Sequence, residues 1–134
     1  MKLNLRQIAD QKVKILSNAG GVNPQACAEA IRALIKELNL DLKVAVVLGD
    51  DLLEDKDKFL DSGVQEMYSD EKFPKSDKIA SINAYLGAFP IAQALNDGAD
   101  IVITGRSVDS AVTLATSIHT YGWKEDDYDK LASG

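Results

Sequence analysis

The tripeptide Ile-Val-Ile at positions 101–103 constrains the fold of this chain more than any other stretch. A strand with one solvent-exposed face alternates apolar and polar residues, whereas this run is apolar throughout, as is typical of a strand buried on both faces in a parallel sheet. Gly98 suits the left-handed residue that follows a helix ending near Asn96. From Val108 onwards, apolar residues recur at the spacing of one helical face. The stretch therefore predicts a helix, a turn, a buried strand, a turn and a second helix.

Two further strands are predicted upstream, at 13–16 and 42–48, where the sequence is again apolar. The helix between them begins with Asn23 as N-cap and Pro24 as its first residue. Strand, helix and strand in this order predict a right-handed βαβ unit. Segment 64–68 is a candidate edge strand, and segment 79–86 is ambiguous between strand and helix. We expect an α/β fold with a parallel sheet of about four strands and helices on both faces, in a Rossmann-like three-layer arrangement.

Length, charge and cysteine content limit the classes of protein to which this chain can belong. The chain has 134 residues, which suits a single domain. Its net charge of −6 argues against binding to nucleic acid or to anionic membranes, and no apolar run reaches the ~18 residues of a membrane span. The single cysteine, Cys27, excludes an internal disulfide and favours a reduced, cytoplasmic setting. A three-histidine zinc site or a thiolate cluster is excluded by count.

Ligands of open parallel sheets bind at the carboxyl ends of the strands, and polar residues follow the strand at 101–103. Thr104 and Gly105 come first, and Gly105 permits a close approach of backbone and ligand. Arg106 offers a fork of donors for a carboxylate or a phosphate, and Asp109 is a candidate acid/base. The alternative is that Arg106 and Asp109 form a structural ion pair that closes the loop.

Two other turns carry candidate site residues. Asn18, Gly20 and Gly21 precede the helix capped by Asn23 and can hold an anion with backbone N–H groups, although the stretch matches no known phosphate loop and is equally a tight turn. Asp50 and Asp51 end the strand at 42–48.

One of these two carboxylates can act as acid/base, orient a hydroxyl or bind a cation, or else cap the next helix. Because neighbouring side chains on an extended chain point to opposite sides, we expect at most one to face the cleft.

Asn83 and Tyr85 share one face if their segment is extended, and both can then line a pocket; packing is the alternative. His119, the only histidine, lies near the predicted end of a helix, so we expect it to be a helix-end residue rather than an acid/base. Cys27 falls on the apolar face of its helix and is expected to pack there.

Five blocks of the sequence resemble the acyclic terpene utilisation protein family. They read SNAGGVNPQACAEA (17–30), VAVVLGDDL (44–52), NAYLGAFPI (83–91), GADIVITGRSVDSA (98–111) and YGWKEDDYDKLA (121–132). Members are found with acyl-CoA catabolic genes, including those for citronellol and geraniol breakdown. The resemblance therefore implies a pathway, but it does not identify a reaction, a cofactor or a metal. The chain's residues at the family's polar motif positions are Asn18, Gly20, Gly21, Asn23, Asp50, Asp51, Asn83, Tyr85, Gly105, Arg106 and Asp109.

Family members usually begin with an upstream segment and continue past the residues matching 131–134, so we expect residues 1–134 to be one α/β domain or an internal piece of a larger N-terminal one. An incomplete sheet exposes a strand edge, which predicts a homo-oligomer or a partner chain that completes it. Two functions follow. One is an enzyme part acting on a small carboxylate or acyl thioester; the other is a non-catalytic subunit or scaffold.

Overall fold

Three parallel strands form the sheet in this computed structural model, which describes residues 2–20 and 22–134. The strands are β1 (Ile15–Ser17), β2 (Val44–Val47) and β3 (Ile101–Thr104), in the order β1-β3-β2. Ile101 of β3 pairs with Ile15 on one side and with Val44 on the other. The parallel direction predicted for these segments is therefore confirmed, and the turns that follow the strands lie at the same end of the sheet.

Six α-helices accompany the sheet in the described residues. They are α1 (Leu5–Gln11), α2 (Pro24–Glu37), α3 (Lys56–Asp61), α4 (Ala88–Asn96), α5 (Ala111–Tyr121) and α6 (Tyr128–Ser133). Local signals set two of their ends as predicted. The Asn23 side chain accepts a hydrogen bond from the Ala26 N–H at the start of α2, and Gly98 follows α4 with φ of 90°.

Two apolar clusters lie on alternate sides of β3. Val102 packs with α4 and α5, whereas Ile101 and Ile103 pack with Leu5 of α1 and with α2. All four residues of β3 are buried, which explains why the run at 101–103 has no polar position. The central strand is thus covered by helices on both faces; a Rossmann-like layering stays a prediction.

The sheet has three strands in the described residues rather than the expected four or so. Segment 64–68 makes one isolated bridge, Gln65 to Lys72, and all of its residues are exposed, so it does not pack onto the core as an edge strand would. Segment 79–86 is neither a helix nor a continuous strand, and it changes partner along its length. Asn83 bridges Asp51 in antiparallel fashion, and Leu86 bridges Ser107 in parallel, so no continuous ladder forms.

Asp100 joins the beginnings of the three strands. Its carboxylate accepts a hydrogen bond from Lys14 Nζ at 2.9 Å and another from the Lys43 backbone N–H at 2.9 Å. Burial raises the pKa of the Asp100 carboxyl, but these hydrogen bonds and the charges of the two lysines outweigh burial and hold the pKa below its usual value. The ionised carboxylate therefore stabilises the fold.

We expect Asp100→Asn to lower the free energy of unfolding by about 1–2 kcal/mol at neutral pH, because it weakens two hydrogen bonds to a charged group. Since the carboxyl pKa is lower in the folded than in the unfolded chain, this contribution is complete above the unfolded-state pKa, near ~4, and is lost as the pH falls through the folded-state pKa. Urea unfolding should show a gap between wild type and variant that closes below about pH 4. A gap of the same size at about pH 3, or an equal loss in the exposed control Asp41→Asn, would contradict the assignment.

Candidate functional site

A cavity of about 390 Å³ opens at the carboxyl ends of β2 and β3. Its walls come from four parts of the chain: residues 22–25 at the start of α2, residues within 48–53 after β2, residues within 80–83, and Arg106 after β3. The structure therefore brings together five of the predicted site residues. They are Asn23, Asp50, Asp51, Asn83 and Arg106.

Asp50 connects several of the segments that line this cavity. It is only 5% exposed, and it is the one buried residue in the fully described range 48–87. Its Oδ2 accepts hydrogen bonds from the Arg106 backbone N–H at 2.8 Å and from Asn83 Nδ2 at 3.0 Å. Its backbone carbonyl accepts the Ala84 N–H at 2.8 Å. One residue thus joins the end of β2, the segment around Asn83 and the loop after β3.

Gly105 makes this arrangement sterically possible. A Cβ atom at position 105 would lie 1.8 Å from Asp50 Oδ1 and 2.4 Å from Asp50 Cγ. Any side chain there would overlap the carboxylate, so glycine is needed for the close approach. The sequence predicted that Gly105 allows a close approach to a ligand; in the structure its neighbour is the Asp50 carboxylate.

Arg106 presents an exposed side chain to the cavity while its backbone is held on both sides. Its N–H donates to Asp50 and its carbonyl accepts the Leu86 N–H at 3.0 Å. Within residues 2–20 and 22–134, the guanidinium forms no ion pair. The alternative of a structural pair with Asp109 is therefore wrong, and the guanidinium is available to an anionic ligand.

Asp51 is also among the residues that line the cavity; that at most one of the two carboxylates faces it stays a prediction. Asp51 pairs with Asn83 in an isolated antiparallel bridge, in which the Leu52 N–H donates to the Ile82 carbonyl. The Asp51 Oδ1 accepts the Leu53 N–H at 3.0 Å.

The other predicted site residues that the structure describes are not among those lining the cavity. Asn18 and Asp109 are exposed, and Tyr85 is 60% exposed. Thr104 is fully buried, with its hydroxyl bonded to the Gly105 carbonyl. Their predicted substrate contacts, and the acid/base role of Asp109, stay predictions.

The glycine turn before α2 is described only in part. Gly20 is buried, and a Cβ there would lie 2.6 Å from Pro24 Cβ and 2.8 Å from Ile103 Cγ2, so it serves close packing between the turn and β3. Gly21 lies outside the described residues. Asn23 caps α2 as predicted and also lines the cavity.

Apolar residues at the cavity were not recognised in the sequence. Val22, Leu48 and Leu53 line it, and the first two are exposed. Leu48 follows a strand and continues its apolar run in the sequence. Only the direction of its side chain at the end of the strand could have identified it as a cavity residue. An apolar rim beside Arg106 suits a ligand that has both a charged and an aliphatic part.

A second cavity, of about 400 Å³, lies between α4 and the carboxyl end of α5. It is lined by none of the predicted site residues, and Phe89, Ile118 and Trp123 form its apolar part. Nearby, His119 lies in the last turn of α5, as expected, and its Nδ1 forms a hydrogen bond with Asn96 Oδ1 at 2.7 Å. The converging polar groups, and a guanidinium with no ion pair to any described residue, favour the cavity beside Arg106 as the functional site.

Two further observations concern the described part of the chain. No group of three or more His, Cys, Asp or Glu side chains there is placed to hold a metal ion. None of the described helices combines the length and apolar character that crossing a membrane requires.

Comparison with known protein families gives a match over the whole chain. The model of the family described as "Acyclic terpene utilisation family protein AtuA" matches residues 1–134, the whole chain. No curated protein and no solved structure matches significantly. The sequence blocks noted above and this match agree, and the chain belongs to the acyclic terpene utilisation (AtuA) protein family.

Proposed function

We propose that residues 1–134 are the substrate-binding part of a catabolic enzyme that acts on a small carboxylate or an acyl thioester in acyclic terpene and acyl-CoA degradation. The observation that carries the proposal is the Arg106 guanidinium, which lines a cavity at the sheet edge without an ion pair among the described residues. Family membership supports the pathway. The single cysteine supports a cytoplasmic location.

In this proposal, Arg106 binds the carboxylate or the thioester carbonyl oxygen, and Asn83 contributes a polar contact beside it. Leu48 and Val22 cover the aliphatic part of the ligand, because both line the cavity and are exposed to solvent without it. Desolvating these side chains on binding is favourable by about 25 cal/mol per Å² of apolar surface.

Asp50 is the acid/base candidate that the proposal retains, because it lines the cavity and Asp109 does not. Its Oδ2 is committed to Arg106 N and Asn83 Nδ2, while its Oδ1 accepts no hydrogen bond from the described residues. Oδ1 is therefore the atom assigned to proton transfer, and Oδ2 is the atom that fixes the carboxylate.

We expect Arg106→Gln to weaken binding of 3-methylbutanoate, and of its N-acetylcysteamine thioester, about tenfold or more, since it removes a charge-assisted contact. Isothermal titration of the full chain, with NMR shift mapping for weak binding, measures the change. The control is Arg6→Gln, because Arg6 is an exposed arginine on α1 outside the cavity. Equal affinities for wild type and Arg106→Gln would refute the proposed role.

The alternative is a non-catalytic subunit completed by a partner chain. It is supported by the sheet order, in which β1 and β2 each pair with β3 alone and keep an unpaired edge in the described part of the chain. Light scattering after size exclusion separates the two proposals when combined with the titration. A stoichiometric complex without ligand binding favours the subunit, whereas a monodisperse monomer that binds the carboxylate favours the enzyme.

A further inference from the structure

We infer that the cavity beside Arg106 selects ligands with a single negative charge, such as a monocarboxylate, over phosphates, and that Asp51 sets this selectivity. The inference rests on the proposed function, because it specifies which anions the same cavity accepts.

The charge balance of the walls is the first observation. Arg106 is the only cationic residue among the described lining residues, and two acidic residues, Asp50 and Asp51, belong to the same lining. No described lysine or histidine lines the cavity, so the formal charge of the described lining residues is −1. One guanidinium matches one monoanion; a dianion brings a second charge that no remaining cation balances.

The two carboxylates are engaged differently. The Oδ2 atom of Asp50 receives two N–H donors, and the residue is 5% exposed. Asp51 is exposed, and it accepts one hydrogen bond, from the Leu53 N–H to Oδ1. Its Oδ2 has no donor in the described part of the chain. The charge of Asp51 is therefore the less compensated of the two, and it acts on whatever occupies the cavity.

Removing the charge of Asp51 is structurally mild. In Asp51→Asn the amide oxygen can keep the hydrogen bond from Leu53, and the side chain is exposed, so the turn is retained. Asp50 cannot serve as the same probe because its carboxylate holds the Arg106 loop. Asp51→Asn therefore separates the effect of charge from the effect of structure.

Three probes with the same isopentyl chain separate charge from shape. The carboxylate of 4-methylpentanoate is planar and monoanionic, and the sulfonate of 3-methylbutane-1-sulfonate is tetrahedral and monoanionic. The phosphate of 3-methylbutyl phosphate is tetrahedral and about doubly charged at pH 8. Titration of the full chain at about 50 mM salt limits screening of the effect. We expect both monoanions to bind about tenfold more tightly than the phosphate. In Asp51→Asn this ratio should fall about fivefold, while Asp41→Asn, at an exposed position outside the cavity, should leave it unchanged.

Each result has a distinct meaning. Phosphate binding as tight as carboxylate binding would overturn the inference while leaving anion binding at Arg106 in place. Sulfonate grouping with phosphate would also overturn it, because shape and not charge would then decide. An unchanged ratio in Asp51→Asn, with the fold verified by circular dichroism, would remove Asp51 from its role. If none of the probes binds the wild type, the proposed function itself fails.

Discussion

Gly105→Ala is expected to lower the free energy of unfolding by about 3 kcal/mol, at the upper end of the range for overpacking. The added Cβ would lie 1.8 Å from Asp50 Oδ1. The carboxylate cannot turn aside freely, because Oδ2 is held by the Arg106 N–H and by Asn83 Nδ2, and the residue is buried. Moving it away breaks hydrogen bonds to a charged group, and leaving it in place forces the loop after β3 outward.

Urea unfolding of the full chain measures this loss, and Gly87→Ala is the matched control. A Cβ atom at position 87 would meet no other atom within 4 Å, and the backbone there is extended with φ of −86°, so alanine should change stability by less than about 1 kcal/mol. Because the loop that holds Arg106 moves in Gly105→Ala, the affinity of this variant for 3-methylbutanoate should fall as well. Equal stabilities for the two alanine variants would show that the close approach to Asp50 has no energetic consequence.

Secondary-structure elements were predictable from the sequence where neighbouring residues determine them, or where the element is buried on both faces. The strand at 101–103 was recognised because a strand covered on both faces has no polar position, and β3 is buried throughout. The start of α2 was predictable because an asparagine side chain caps a helix N-terminus and proline suits the first helical position, and Asn23 and Pro24 do so here. Neither prediction needed a distant part of the chain.

Predictions that depended on distant partners were less successful. Tyr85 and Asn83 share one face only if their segment is one continuous strand, but the segment forms a bridge first with Asp51 and then with Ser107, and Tyr85 is largely exposed. The carboxylates after β2 were recognised as site residues, yet which of them is buried depends on Gly105, which is far along the chain and lies against Asp50. Sequence spacing carries no information on such an approach.

Asp50→Ala is expected to cost about 3 kcal/mol in the free energy of unfolding, because it leaves two donors without their charged acceptor in a partly buried place. These donors are the Arg106 N–H and Asn83 Nδ2. Asp50→Asn should cost only about 1 kcal/mol, since one amide oxygen can accept both bonds although the charge is lost. If the asparagine variant were as unstable as the alanine variant, the charge and not the pair of hydrogen bonds would be what stabilises the loop.

Combining Gly105→Ala with Asp50→Ala tests the contact between the two residues directly. In the double variant the carboxylate that would overlap the new Cβ is absent, so the second substitution should add little to the first. We expect a stability within about 1 kcal/mol of Asp50→Ala alone, which is a coupling of about 2 kcal/mol or more. Two independent losses would instead sum to about 6 kcal/mol, enough to unfold a domain of ordinary stability. Such additivity would mean that the cost of alanine at position 105 arises elsewhere, and that Gly105 and Asp50 do not jointly fix the position of Arg106.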